Sequence, residues 1–356
     1  MPIEPLSQPT IRQLGSTQAI TDPCSAIKEL IDNALDARAL SVFVEVSSDS
    51  LSAILVRDNG HGVPPGNSDP GGGGDTRRLL GKPHCTNKIN KFEDLQGLGG
   101  TSLGFRGQAL AGLAAMSSGV KVVTRVEGEA VALGCVLGRE GEGVVREEPA
   151  SHPIGTTVRV TDFLSTVPVR QQHAKKNAPK CLNSIKILLQ KYALSRLKVR
   201  FSLRILKAKD DRGNWTYAPK LGSSIGDAVS RVVGKHCASQ CSSTTFQSDG
   251  YELQSFLPKP DADLSKVCGP GAFISIDSRP VSHSRGALKQ IVSNIKARMN
   301  KSISGFTGQK DPFIYLNLVC PPSSYDVNVE PAKDDVAFTD KETVFSAIET
   351  LLDKHY

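Results

Sequence analysis

No stretch of the 356-residue chain approaches the roughly 20 consecutive apolar residues that a bilayer-spanning helix requires. The N-terminal run "MPIEPLSQPTIRQL" also lacks the basic segment and apolar block of a secretory signal. These absences point to a soluble, intracellular protein. There is no CxxC, and no histidine stands at zinc-ligand spacing from the eight cysteines at 24, 85, 135, 181, 237, 241, 268 and 320. Neither a zinc site nor a disulfide framework is expected, and the cysteines read as reduced packing residues, with Cys237 and Cys241 spaced to share a helix face. Acidic residues are missing from two long blocks. From Phe163 to Lys209 there are twelve Lys or Arg and no Asp or Glu, and from Ser278 to Lys310 there are seven and again no acid. With 22% charged residues and a net charge of only +7, such gaps point to a positive surface facing a polyanion. The alternative is that these cations lie on different faces and make no patch.

What is present is ample apolar material, 39% of the chain, in a length that favours two domains over one core. Apolar spacing predicts a helix around "KELIDNALDAR", followed by strands at "SVFVEVS" and "AILVRD". The stretch "DNGHGVPPGNSDPGGGGD" is too rich in Gly and Pro for regular structure and reads as a long loop or lid. Strands are predicted again at "KVVTRV", "AVALGCVL" and "GTTVRVTD", and a helix over Cys181 to Ala193. A second set follows: "VRFSLRIL", a helix near "SIGDAVSRVVG", "YELQSFLP", "AFISIDSRPV", a helix around "GALKQIVSNIKARM", and "FIYLNLVCP". The pattern is α+β, with a division near Leu197 that gives domains 1–197 and 198–356.

Four stretches carry chemistry. On the first helix Ile27, Leu30, Ile31, Ala34 and Leu35 form the packing stripe, which leaves Glu29 and Asn33, four apart, together on another side. A carboxylate beside a carboxamide oxygen can hold a water and a hard cation such as Mg²⁺, although exposed acids on such a helix are usually just solvated. In "RDNGHG", Asp58 ends a predicted strand and Gly60 and Gly62 follow; a carboxylate there can accept from a base's exocyclic amine, while a plain turn explains the same letters. In "LGFRGQAL", Gly104 and Gly107 flank Phe105 and Arg106 before an apolar helix, a natural anion site. In "GTTV", residues 155 to 158 put small hydroxyls on a strand, which need no special reason.

The ordered set ELIDNALDA, DNGHG, GFRGQAL, GTTV resembles the ATPase superfamily shared by DNA gyrase, Hsp90, histidine kinases and MutL. "KELIDNALDA", "GFRGQALAGLAAM", "GTTVRVTDFLSTVPVR", "FISIDSRPV" and "YDVNVEPAKDDVAF" resemble the MutL homologues of DNA mismatch repair in sequence and order. "SFLPKPDADLS" with "IDSRPV" is most similar to the eukaryotic accessory type named for post-meiotic segregation. The resemblance implies an N-terminal GHKL (Bergerat) α/β sandwich followed by a smaller ribosomal-S5-domain-2-like α/β domain. It implies slow Mg²⁺-dependent ATP hydrolysis coupled to N-terminal dimerisation and to sequence-independent duplex DNA binding.

Roles follow from the same resemblance. Glu29 would be the general base and Asn33 would hold Mg²⁺. Asp58 would read the adenine amine, Gly60 and Gly62 would line the base pocket, and Thr157 would hold adenine through a water. Gly104, Phe105, Arg106 and Gly107 would cradle the phosphates, with Thr86, Asn87 and Lys88 in the lid. Lys333 would reach the γ-phosphate, while Asp32 and Asp36 would orient the helix and its neighbours. For DNA the candidates are Arg170, Lys175, Lys176, Arg285, Lys289, Lys296 and Arg298, contacting backbone phosphates. Implied partners are a second MutL-type chain, MutS-type mismatch-recognition proteins and duplex DNA, in the nucleus. Nuclease activity would lie in a C-terminal metal-binding domain beyond Tyr356, in a longer natural protein. Gln108, Asn87, Glu330 and the "PPGNSDPGGGGD" insertion depart from the family pattern, which puts turnover and lid closure in question before nucleotide binding. Two alternatives stand beside this expectation: an ATP- and DNA-binding scaffold that scarcely hydrolyses, and another branch of the superfamily, such as a chaperone or topoisomerase subunit.

Overall fold

The computed structural model describes residues 20–66, 75–86, 88, 102–104, 107–306, 311–326 and 336–356. Two compact units emerge: among the described residues the first takes 20–88, 103–189 and 199–218, and the second takes 102, 190–198 and 219–356. The first is built on helix α1 (Pro23–Asp36) and eight strands: β1 (Ser41–Ser47), β2 (Ala53–Asp58), β3 (Gly119–Arg125), β4 (Ala132–Leu137), β5 (Val144–Ala150), β6 (Gly155–Thr161), β7 (Arg200–Leu206) and β8 (Trp215–Tyr217). They form one sheet in the order β5-β4-β3-β6-β2-β1-β7-β8. Every neighbouring pair is antiparallel except β1 and β7.

Alternation decides which face is covered. Val42, Val44 and Val46 on β1, Ile54 and Val56 on β2, Val120 and Val122 on β3, and Val158 and Val160 on β6 are buried. Helices α1 and α2 (Ala109–Met116) pack on these strands. The intervening residues of the central strands, among them Phe43, Arg57 and Arg159, are half-buried or exposed. Further along, α3 (Pro168–Lys176) buries nothing, whereas α4 (Ala178–Ser195) buries Ile185, Leu189 and Tyr192 at the expected helical spacing.

The expected division at 197 separates β7 from the sheet that holds it. Strand β7 pairs in parallel with all of β1, from Ser41 opposite Arg200 to Ser47 opposite Leu206, so the first unit continues to Ala218. The pairing partner lies some 160 residues away in sequence, and neither strand's own pattern reveals it.

The second unit contains α5 (Ile225–Val232), α6 (Lys235–Ser239), β9 (Cys241–Ser248), β10 (Tyr251–Pro258), α7 (Leu264–Val267), β11 (Ala272–Ile276), β12 (Arg279–Pro280), α8 (Gly286–Ser302), β13 (Ile314–Val319), β14 (Tyr325–Asp326), β15 (Ala337–Phe338) and α9 (Lys341–His355). Its five-stranded sheet runs β12-β11-β13-β10-β9, with β11 and β13 parallel. Helix α9 packs on β9, β10 and α8. The core includes Ile274, Leu316 and Leu318 with Leu288, Ile291, Ile348 and Leu351. The architecture is mixed α+β. Among the described residues no helix is long and apolar enough to cross a membrane.

Candidate nucleotide site

The site begins with the placement of α1. Asp22 caps the helix by accepting from the Ser25 backbone N–H at 2.7 Å, and Ser25 Oγ accepts from the Asp22 N–H at 3.0 Å, a reciprocal box that fixes the entry angle. Ile27, Leu30, Ile31 and Ala34 are buried as expected, Ala26 is buried with them, and Leu35 is only half-buried. Lys28 and Asp32, four apart and 3.5 Å from each other, are buried too. Glu29, Asn33 and Asp36 are half-buried along one edge.

Asp36 gathers the residues around Asn33. Its carboxylate accepts from the backbone N–H of Leu103 at 2.7 Å and of Gly104 at 2.9 Å, and from Lys88 Nζ at 2.5 Å. Lys88 Nζ also donates to Asn33 Oδ1 at 3.0 Å. Gly104 is needed for this approach, because a Cβ there would lie 2.9 Å from Lys88 Nζ and 3.3 Å from Asn33 Oδ1. The His84 N–H donates to the Gly107 carbonyl at 3.1 Å, and Thr86 Oγ1 accepts from the Lys88 N–H at 3.2 Å. Asn33, Thr86, Lys88, Gly104 and Gly107 are thus brought into one cluster on the helix that carries Glu29. Gln108, next in line, makes no side-chain cap for α2, and its Nε2 lies 3.4 Å from His84 Nδ1. The expected roles of Asn87, Phe105, Arg106 and Lys333 fall outside the described residues.

The other end is made by strand register. Asp58 ends β2, buried, with Oδ1 accepting from the Gly60 N–H at 2.8 Å and its carboxylate also accepting from the Thr156 N–H. Burial pushes its carboxyl up, and the two N–H groups, with His152 and His61, only partly offset that. Asn59 Oδ1 accepts from the N–H groups of Leu40 and Ser41 at 2.9 and 2.7 Å, so the DNG stretch is a structural turn as well as a carrier of Asp58. Gly62, at φ +75, stands where a Cβ would meet the Arg125 carbonyl at 2.3 Å. Its neighbour Val63 donates to the buried Thr124 Oγ1 at 2.8 Å.

Thr157 does not lie on the Asp58 face. On β6, Thr157 pairs with Arg57, and Val158 and Val160 pair with the buried Val56 and Ile54. Alternation therefore sends Thr157 to the face of Arg57 and puts Thr156 on that of Asp58. The hydrogen bonds agree: Thr157 Oγ1 lies 2.6 Å from His152 Nε2, whereas Thr156 Oγ1 lies 3.2 Å from Thr124 Oγ1. The period-two pattern of "GTTVRV" already held this signal, since the hydroxyl in phase with the two core valines is Thr156.

The basic candidates divide. Lys175, Lys176, Arg285 and Lys289 are exposed and Arg170 is half-buried. Lys296 pairs with Asp311 at 2.5 Å and Arg298 with Asp353 at 2.6 Å, so acids from outside the acid-free block neutralise two of its cations. Among the described residues no group of three or more His, Cys, Asp or Glu is arranged to hold a metal ion, and all eight cysteines are free thiols.

Comparison with known proteins places these features. Residues 21–133 match the family model described as histidine kinase-, DNA gyrase B- and HSP90-like ATPase. Residues 229–356 match that of the DNA mismatch repair protein, C-terminal domain. The human "PMS1 protein homolog 1" is 32% identical over 98% of this chain and 35% of that protein. The MutL of Symbiobacterium thermophilum is 28% identical over 96% of the chain and 49% of its own length. The chain thus spans about a third to a half of the curated relatives it matches. A crystal structure described as the N-terminal domain of a DNA repair protein superposes with a TM-score of 0.75 at 23% identity, covering 97% of both chains. The Aquifex aeolicus MutL ATPase domain complexed with ADP does so with a TM-score of 0.54 at 19% identity, covering 93% of this chain and 98% of its own.

Proposed function

The chain belongs to the MutL/PMS1-type DNA mismatch repair family and carries its GHKL ATPase domain, and from that premise we propose that its first unit binds ATP with Mg²⁺ and hydrolyses it slowly. The observation that carries the reading is the convergence of Asn33, Lys88, Gly104 and Asp36 on the helix that bears Glu29. Glu29 takes the proton of the attacking water, and the backbone of Gly104 and Gly107, with the uncapped start of α2, receives the phosphate oxygens. Lys88 adds a positive charge there. The donor set suits a hard cation, because Asn33 Oδ1, which accepts from Lys88 Nζ in this structure, is an oxygen that would turn to the cation while Glu29 is left to act as base and other positions are left for water. Asn33 would hold Mg²⁺, which would supply charge neutralisation for the phosphates. Asp58 accepts from the adenine amine, and Thr156 stands beside it in the role first expected of Thr157.

The rest of the assignment follows family membership. Lys333 reads the γ-phosphate, and Asn87, Phe105 and Arg106 complete the lid and cradle. The second unit is the S5-domain-2-like transducer, nucleotide binding drives N-terminal dimerisation, and no nuclease chemistry is assigned to these two units. The protein works in the nucleus on duplex DNA, with a second MutL-type chain and MutS-type partners.

The test is steady-state ATP hydrolysis by this chain and by Glu29→Ala, with nucleotide binding measured alongside and Mg²⁺ present or withheld. The wild type is expected to turn over only with Mg²⁺, and the variant to lose hydrolysis by about 100-fold or more while still binding ATP. Binding without hydrolysis in both proteins would replace this reading with that of an ATP-binding scaffold.

A further inference from the structure

The reverse face of the nucleotide-binding sheet carries a charge cluster that none of the basic candidates read from the sequence includes. Arg57 precedes Asp58 on β2 and so points away from the nucleotide side. On that outer face Phe43 is directly opposite Arg57, Arg57 is opposite Thr157, and Arg159 is opposite both Leu55 and Lys121. Arg57 and Arg159 are therefore diagonal neighbours on adjacent strands, roughly 7–8 Å apart at the backbone. Arg200, two residues before the Ser202 that pairs with Phe43, completes the group from β7.

All three arginines are exposed. The guanidiniums of Arg57 and Arg200 lie 4.9 and 5.5 Å from the centre of the Phe43 ring. Nearby carboxylates are already engaged: Glu45 pairs with Arg204 at 3.7 Å, and Glu148 with Lys121 and Arg146. Among the described residues Arg57, Arg159 and Arg200 have no carboxylate partner. Three like charges held on a rigid sheet, with no acid spent on them, repel one another unless an anion neutralises them.

We infer that this outer face is a docking surface for duplex DNA, with Arg57, Arg159 and Arg200 each taking a backbone phosphate. Guanidinium suits phosphate because it donates in a planar fork. A duplex is favoured over an unpaired strand because Phe43, the aromatic residue of this patch, is engaged by two guanidiniums and is not free as a stacking platform. The inference rests on the reading of DNA as a ligand of this chain and specifies where DNA sits. The surface belongs to the first unit alone, on the side of β2 away from Asp58.

The experiment is fluorescence anisotropy of a short labelled duplex against the full chain over a range of salt concentrations. Four proteins are compared: wild type, the triple variant Arg57→Gln/Arg159→Gln/Arg200→Gln, Arg159→Glu alone, and Lys175→Ala/Lys176→Ala/Lys289→Ala. ATP binding by each serves as the control for folding; Arg159, exposed and unpaired, is the substitution least able to disturb the fold. The triple variant is expected to bind duplex at least about tenfold more weakly, with the slope of log affinity against log salt reduced by about 2.7 for three lost phosphates. Arg159→Glu should weaken binding in the same direction, and the lysine variant should stay within about twofold of wild type. Wild-type binding that the triple variant and Arg159→Glu both retain would overturn the outer face while leaving DNA as a ligand. Failure of the wild type to bind duplex at any salt would overturn the DNA reading itself. Tighter binding of an unpaired strand or of polyglutamate than of duplex, lost in the triple variant, would overturn duplex as the occupant.

Discussion

At the Asp58 end of the site strand register brings the side chains together, whereas at the Asn33 end backbone and side-chain donors from distant segments converge on the single carboxylate of Asp36. The Asp58 end inherits its geometry from β2, β3 and β6, whose ladders fix Asp58, Thr124 and Thr156 together. The Asn33 end has no ladder. Leu103, Gly104 and Lys88 all donate to one side chain, and Lys88 donates to Asn33 as well, so order there depends on a charge and a few hydrogen bonds rather than on a sheet. On the proposed reading, such a site keeps a fixed base pocket beside a phosphate region that one substitution can release.

Removing that carboxylate is the most direct way to break the contrast. Asp36→Ala removes the carboxylate that two backbone N–H groups and the Lys88 ammonium share, at a cost of about 3 kcal/mol. ATP binding by calorimetry is expected to fall about 100-fold, with a matching loss of thermal stability. An equal loss from Asp36→Asn would show that the charge matters more than the acceptor geometry.

A smaller effect is expected from proton uptake at the base end. Burial raises the Asp58 pKa, and the adenine amine needs the ionised form as acceptor. Affinity for ATP is therefore full above the raised value and falls as pH drops through it, beginning at higher pH than for an exposed aspartate. The stability term has the opposite sense: relative to the unfolded chain, the contribution of Asp58 is fully present below its unfolded pKa and is lost as pH rises through the folded one. ATP titrations across the acidic range should show about a tenfold decline that Asp58→Asn flattens.

The finest distinction lies between adjacent hydroxyls. Thr156→Val should weaken ATP binding by about fivefold, the worth of roughly one hydrogen bond, and Thr157→Val should leave it unchanged. The reverse ranking would mean that β6 meets the nucleotide with its other face.

Much of this was legible before the fold was known, and the exceptions share a cause. The stripe of α1 and the alternation of β1 and β2 stand in the sequence because each element has one wet and one dry face. Strand β5, "VVREEPA", and strand β9, "CSSTTFQS", carry too few buried residues to show that pattern. Helix α3 has no buried face at all. The long-range pairs were invisible for another reason: Lys296 and Arg298 sit in an acid-free block, but Asp311 and Asp353 reach them in space. The cations at 57, 159 and 200 attract no notice in sequence, being far apart and, in the case of Arg57 and Arg159, outside the acid-free blocks.

The order and spacing of its motifs by themselves determined the family and the α+β class and supplied the candidates for the nucleotide site, because local periodicity and short motifs survive without knowledge of what packs where. Only the tertiary structure decided that β7 closes onto β1, that Asp36 ties Gly104 to the first helix, and which arginines stand together without a carboxylate partner among the described residues. Each of these depends on register or on contacts between residues distant in the chain, and a linear pattern does not encode which strand lies next to which.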